Sequence, residues 1–494
     1  MAMTETKEDL VYANGLDGET GKYLVEPMTY GQVVDFVKGR SPKAPLLQRV
    51  EAIWRRFKDG KLDLPNGRRY ERVDEAGWAV VFHPDEDPLV KKALRRLKEH
   101  RMSLIKDEQV VKELVYDGQQ GVDDWLVGHG VEDEVIPWRV PYYLLLVGDP
   151  ERISFDRGLA LSLEYAVGHL HFDNPDHYAQ YVDSLIQYEN GEAPARGKAV
   201  TFFGTRHMGD KATHISADDL IVPLADGVPA TEEGPALAGV AASQGFCTHK
   251  ILGRPDDGQA AVRDALAQVL SPSAGTVPPA LLFSATHGVG FPKGHPLQFA
   301  RQGALVCQDW TGSGDFKPDH YFSAENLEEK AVVSVHGLIA FLFACYSAGT
   351  PAHDAFRHKP GEAPPEIAEK PFVAALPKAL LSHPKGGALA CIGHVERAWS
   401  YSITSNEVRS HVQPFRTALT GILTGEPVGH AMRDFRRRYS KLGNELKDLL
   451  LPLYWGATVS DTKVLANLWM RHSDARNYVV IGDPAAKLRV EDLS

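Results

Sequence analysis

Cysteine is scarce in this 494-residue chain: there are four, Cys247, Cys307, Cys345 and Cys391, and no Cys-x-x-Cys pair. Thiols so few and scattered argue against a disulfide framework or a zinc site of the cysteine type, and they suit a reducing compartment. Apolar runs of about 18 residues or more are also missing, which argues against a membrane-spanning helix. Charge of one sign is nowhere concentrated. The 54 Lys and Arg and 65 Asp and Glu leave a net charge of −11 spread along the chain, and no basic block points to nucleic acid. Met1 to Asp9 is polar and acidic and lacks the apolar centre of a signal peptide, so the expected location is cytoplasmic. None of the 20 histidines falls in a His-Glu-x-x-His motif. The spacing His169-Leu170-His171 could put two imidazoles on one side of a strand, but solvent-facing histidines are the preferred reading. No metal, cofactor, nucleic acid or membrane partner is expected.

What the chain does have is two apolar runs that each end in a reactive side chain. Ala280 to Ala285 leads through Thr286 to His287-Gly288, and Leu338 to Ala344 leads to Cys345-Tyr346-Ser347. Each run is the length of a buried parallel strand. Open α/β sheets place their sites at the C-terminal ends of strands, so a thiol and an imidazole delivered there make a cysteine nucleophile with its base. Small residues follow Cys345, in Ser347-Ala348-Gly349, and suit a tight turn that a substrate backbone can approach. Gly288 offers an amide to a developing oxyanion with no side chain in the way.

Rival residues are weaker. His336 is nearer Cys345 in sequence, but residues 337–344 read as the strand itself. That places His336 at the far end, on the order of 25–30 Å away at ~3.3 Å per residue. Cys391 lies inside its own strand run, and Cys307 has no small-residue turn after it. Ser347 sits in Cys345-x-Ser347-x-Gly349, a nucleophile-elbow pattern without its first glycine, so a serine hydrolase is a lesser alternative.

Around these runs, short apolar strands alternate with amphipathic helices, which is the α/β signature. Strands are expected at Trp78 to Phe82, Tyr142 to Val147, Tyr165 to Gly168, Ala199 to Phe203, Gly386 to Gly393 and Tyr478 to Gly482. Helices are expected after Asp87-Pro88 and after Asn174-Pro175, where an N-cap is followed by proline. Residues 1–75 read as an N-terminal extension with a regulatory role open to it. The Pro- and charge-rich segment from His353 to Pro371 reads as an exposed loop that cannot pair as a strand.

These motifs, in this order, resemble the gingipain family of caspase-like cysteine peptidases over roughly residues 75–490. The points of resemblance are Leu144 to Asp149, Val167-Gly168-His169-Leu170, the helix ending in Tyr188-Glu189, Ala285 to Gly288, Ala344 to Ser347, Gly387 to Gly393 with Ala398-Trp399, and the closing Ile481-Gly482-Asp483-Pro484. The resemblance implies a caspase-like, mostly parallel sheet with helices on both faces, in two side-by-side subdomains at 76–235 and 236–494, the second carrying the catalytic pair. It implies a cysteine endopeptidase with Cys345 as nucleophile and His287 as acid and base. The backbone amides of Gly288 and Cys345 would form the oxyanion hole, and Trp399 would wall the pocket for the residue before the cut. The expected partners are a protein or peptide substrate and a regulatory protein or ligand, with self-cleavage as another route of control, in a setting such as a bacterial stress or defence response. Family precedent favours a basic residue before the cut. The stretch before Val167 that would supply its carboxylate is short, so Glu396 and Asp354 are the candidates, although each alone reads as a solvated surface acid. Arg397 would instead favour an acidic substrate. A catalytically silent caspase-like binding module is the alternative of a different class.

Overall fold

The computed structural model describes residues 10–40, 51, 64–132, 134–230, 234–254, 260–271, 277–328, 333–399, 403 and 408–494. The principal elements follow in chain order. They are β1 (Trp78–Phe82), α1 (Pro88–Leu104), β2 (Val111–Val115), β3 (Tyr143–Val147), β4 (Ala166–Leu170), α2 (Pro175–Glu189), β5 (Gly197–Gly204) and β6 (Cys247–Leu252). Next come β7 (Pro279–Ala285), β8 (Ile339–Phe343), β9 (Ala390–His394), α3 (Val408–Leu423), α4 (Arg433–Tyr454), α5 (Thr462–Arg476) and β10 (Tyr478–Gly482).

All ten strands join one sheet in the order β6-β5-β7-β8-β9-β10-β4-β3-β1-β2. Pairing is parallel from β6 to β9 and from β10 to β2, and antiparallel only between β9 and β10. The fold is therefore α/β with a mostly parallel sheet. β1, β3, β4, β8 and β9 are buried at every position, which requires cover on both faces and explains why their sequences are apolar apart from His169 and His394. The two strands absent from the sequence reading, β2 and β6, are the sheet's edges. Their mixed burial leaves no apolar run to see.

The helices begin where their caps dictate. The Asp87 side chain accepts from the Leu89 amide with Pro88 at the first position, and α1 buries Val90, Leu94 and Leu97. Asn174 caps α2 in the same way, and the two helices pack along each other. Tyr181 of α2 stitches the antiparallel seam. Its hydroxyl donates to Leu389 O at 2.9 Å and accepts from the Asp483 amide at 2.7 Å. Arg101 of α1 completes the seam, clasping Glu189 through both terminal nitrogens and Asp483 at 2.6 Å.

Residues 10–29 are built into the C-terminal side of the sheet. Leu10–Val11 pairs antiparallel with Met28–Thr29. Gly15–Asp17 runs parallel to Gly288–Gly290 as the edge of a four-stranded sheet completed by Leu305–Val306 and Tyr321–Phe322. The Pro-rich loop departs from expectation. Its base is paired, with Gly349–Thr350 antiparallel to Phe372–Val373, and Asp354 and Phe356 within it are buried, while 359–363 are exposed. Among the described residues, no helix is long and apolar enough to cross a membrane.

Candidate active site

His287 and Cys345 leave adjacent strands at the same height. β7 and β8 pair in register with Ala285 opposite Phe343, and each reactive residue stands two positions further on. The turn holding them is close-packed. A Cβ on Gly288 would meet Cys345 O at 1.9 Å, so only glycine lets these two backbones approach. Tyr346, directly after the cysteine, adopts φ +59°, a left-handed conformation that costs a non-glycine residue on the order of 1 kcal/mol. Its amide donates to Glu396 O at 2.6 Å, which holds the turn against the chain beyond β9. Glu396 itself has φ +96°.

A carboxylate that the sequence reading missed stands behind the histidine. His287 Nε2 is 2.5 Å from Asp210 Oδ2, and Asp210 also accepts from Thr213 Oγ1 at 2.8 Å, the Ala212 amide at 3.1 Å and the Tyr23 hydroxyl. Burial opposes ionisation of Asp210, but His287 and Tyr23 outweigh it and hold the carboxyl well below its usual range. An ionised Asp210 makes Nε2–H the donor, which leaves the buried Nδ1 with no hydrogen-bond partner among the described residues. His207 stacks on the His287 ring at 6.0 Å and 12°. Burial lowers its pKa to about 4, so it is a neutral neighbour. Asp210 follows β5, the strand beside β7. It stands six positions past Gly204 in a polar turn, with no motif to mark it.

Cys345 is fully buried. Its Sγ accepts from the Ala398 amide at 3.2 Å, and burial pushes its thiol up to about 12. The cover is the N-terminal segment. The amides of Gly288 and Cys345, the expected oxyanion donors, both donate to one carbonyl oxygen, that of Asn14, at 3.1 and 3.4 Å. The Asn14 amide in turn donates to Ala398 O at 2.9 Å.

The remaining sequence candidates divide. Trp399 is buried against Phe356 with ring centroids 4.4 Å apart, in the same apolar cluster as Val11 and Ala13, and its amide donates to Asp474. Glu396 and Asp354 are not solvated acids. Arg397 donates to both Asp354 oxygens at 2.9 and 2.6 Å and to Glu396 at 2.6 Å, all three side chains being buried. Burial raises Glu396 to about 7 despite Arg397, while Arg397 holds Asp354 well below the carboxylate range. The two acids hold one another's arginine and are not arranged to receive a substrate cation. His336 hydrogen-bonds Ser184 O at 2.7 Å, at the start of β8 and away from the thiol. Ser347 is fully buried between Leu342 O and the His394 amide, at 2.7 and 3.0 Å, and is occupied in joining β8 to β9.

His169 is buried against Phe155, contrary to a solvent-facing reading, and His171 stands beyond the strand near Asp149 and Asp173. Among the described residues no group of three or more His, Cys, Asp or Glu is placed to hold a metal ion. Of the four thiols, Cys247 alone is exposed.

No protein-family model and no curated protein matches the chain. Among solved structures, one described only as a protease aligns at 12% identity with a TM-score of 0.43, over 88% of this chain and 81% of that one. The pro- and mature domains of RgpB from Porphyromonas gingivalis align at 12% identity and TM-score 0.42, over 84% and 80%. Separase in its complex with securin, from Saccharomyces cerevisiae, aligns at 9% identity and TM-score 0.29, over 69% of this chain and 16% of that one. At these identities and TM-scores the likenesses carry no argument about the site, whose reading rests on its own geometry.

Proposed function

We propose that the chain is a cysteine endopeptidase of the caspase-like kind, with Cys345 as nucleophile and His287 as its acid and base. The observation that carries this is the meeting of four parts at one strand end. They are a thiol and an imidazole in register, a carboxylate on the imidazole's other nitrogen, and two backbone amides converging on one carbonyl oxygen. In the reaction, the Cys345 thiol gives its proton to His287 Nδ1 and attacks the scissile carbonyl carbon. The Gly288 and Cys345 amides receive the oxyanion, a contribution typically of about 3 kcal/mol per donor. His287 then protonates the leaving amine, the acyl-thioester forms, and a water deprotonated by His287 releases the acid product. Asp210 is a positioning residue that fixes the imidazole tautomer and stabilises its charged form. The substrate class is polypeptide, and control by a partner, ligand or self-cleavage is part of the proposal.

The burial of Cys345 favours a second reading, a silent binding module. The test is hydrolysis of a mixed peptide library over long incubation, since a covered thiol turns over slowly. Hydrolysis is expected for the wild type and for His336→Ala, and its loss for Cys345→Ala and His287→Ala, singly to nearly the same degree because the two act as a unit. Absence of any Cys345-dependent hydrolysis would leave the silent module standing.

A further inference from the structure

The chain already holds a peptide in the site, and that peptide is its own. Asn14 O is received by the two amides that would stabilise an oxyanion, and its own amide is held by Ala398 O. The residue after it stands against the nucleophile. A Cβ built on Gly15 would meet Cys345 Sγ at 3.2 Å and Leu24 Cδ1 at 2.9 Å. On either side the segment is extended and anchored. Val11 and Ala13 belong to the apolar cluster of Trp399 and Phe356, and Leu16 to that of Val289 and Phe291. Gly15–Asp17 forms the parallel pairing with Gly288–Gly290. Asn14 itself is wholly buried.

Resting on the peptidase reading above, we propose that residues 11–16 are a built-in substrate, cut between Asn14 and Gly15, and that the site takes extended peptides with asparagine before the scissile bond and glycine after it. The Asn14 side chain is buried together with the segment that fills the site. The acids that would have recognised a basic residue are committed to Arg397. Glycine after the cut is favoured by the contact at Sγ, because a Cβ there would stand 3.2 Å from the nucleophile, tighter than ordinary packing.

The chemistry balances within the chain and one water. Cys345 Sγ bonds to the Asn14 carbonyl carbon while its proton passes to His287. The Asn14–Gly15 C–N bond breaks, and that proton goes to the Gly15 nitrogen as a new amino terminus. Water, losing a proton to His287, adds to the thioester; Asn14 leaves as a carboxylate, and the sulfur regains its proton. Until this happens the segment excludes other substrates, so cutting or lifting it is also the switch that opens the site.

The test uses the full chain with Cys247→Ser, which removes the exposed thiol from labelling assays. Incubated protein is read by intact mass and N-terminal sequencing. A new terminus at Gly15 is expected, absent with Cys345→Ala and slowed with Asn14→Gln. In parallel, two variants that unseat the segment, Gly15→Val and Leu16→Asp, are assayed on quenched peptides of the form Val-Tyr-Ala-X-Gly-Leu, where X is Asn, Asp, Gln or Arg. Faster iodoacetamide labelling of Cys345 than in the parent is expected, together with a preference for Asn of roughly tenfold or more. Two variants guard against one failing to fold. Cys345-dependent cleavage of other peptides, with Asn14–Gly15 intact and Asn not preferred, overturns this inference alone. Faster labelling with no cleavage of any peptide overturns the peptidase reading beneath it.

Discussion

In the proposed reaction the two nitrogens of the His287 ring face different tasks, and Asp210 sets which does which. Its carboxylate holds Nε2–H, so Nδ1 is the lone pair that would accept the thiol proton. Asp210→Asn keeps the shape, but its amide can turn an N–H toward Nε2 and so favour the wrong tautomer. Cys345-dependent peptide hydrolysis is expected to fall by about 10²–10⁴, with iodoacetamide labelling of Cys345 in the same protein showing whether the site remains formed. Hydrolysis within a factor of about two of wild type would remove Asp210 from the mechanism. At this scale the sequence showed what ends an apolar run. Cys345 and His287 were legible as candidates because nothing else reactive terminates those strands. Asp210, Tyr23 and Asn14 were not, because each lies in polar or Gly-rich chain where one more Asp, Tyr or Asn carries no signal. Glu396 and Asp354 were visible as acids, but their mutual hold on Arg397 depends on the loop after Thr350 folding back over the chain beyond β9, which local sequence does not encode.

Interior strands and capped helices were readable for the same physical reason. A strand covered on both faces must be apolar throughout, and an N-cap with proline at the next position can start a helix but not continue one. The edge strands β2 and β6 face water on part of their surface and blend into their surroundings. The loop between Thr350 and Phe372 was legible as exposed, and its longest exposed run is the tip at 359–363. Its paired base and the buried Asp354 and Phe356 make it a packed excursion, so nicking should be confined to 359–363. Limited proteolysis with N-terminal sequencing of the fragments is expected to place the first cut by an added protease within those residues, with Cys345→Ala used to exclude self-cleavage. A first cut at Asp354 or Phe356 would mean that the loop is not packed as described.

Across the whole molecule, one sheet of two parallel halves depends on its antiparallel seam between β9 and β10. Arg101, Glu189 and Asp483 tie that seam to α1 and α2. Glu189 is largely shielded from water, which disfavours its charge, yet Arg101 and His100 bring it down from 4.5 to about 2. A carboxyl whose folded value is depressed contributes stability that is complete above its unfolded value and is lost as pH falls through its folded one. The window for Glu189 therefore runs from about pH 5 down to about pH 2, with a contribution on the order of 3 kcal/mol at neutral pH. Asp210 and Asp354, also held low, add to the wild-type slope in acid, so only a comparison isolates Glu189. Glu189→Gln retains the shape and removes the titration. Its urea midpoint should lie below wild type at pH 7, and the gap between the two midpoints should narrow as pH is lowered from 5 toward 2, because protonation takes from the wild type what the variant has already lost. Midpoints that stay separated by a constant interval would show that the charge of Glu189 is not what the seam uses. The Arg101 side chain would then act there through packing and through Asp483 alone.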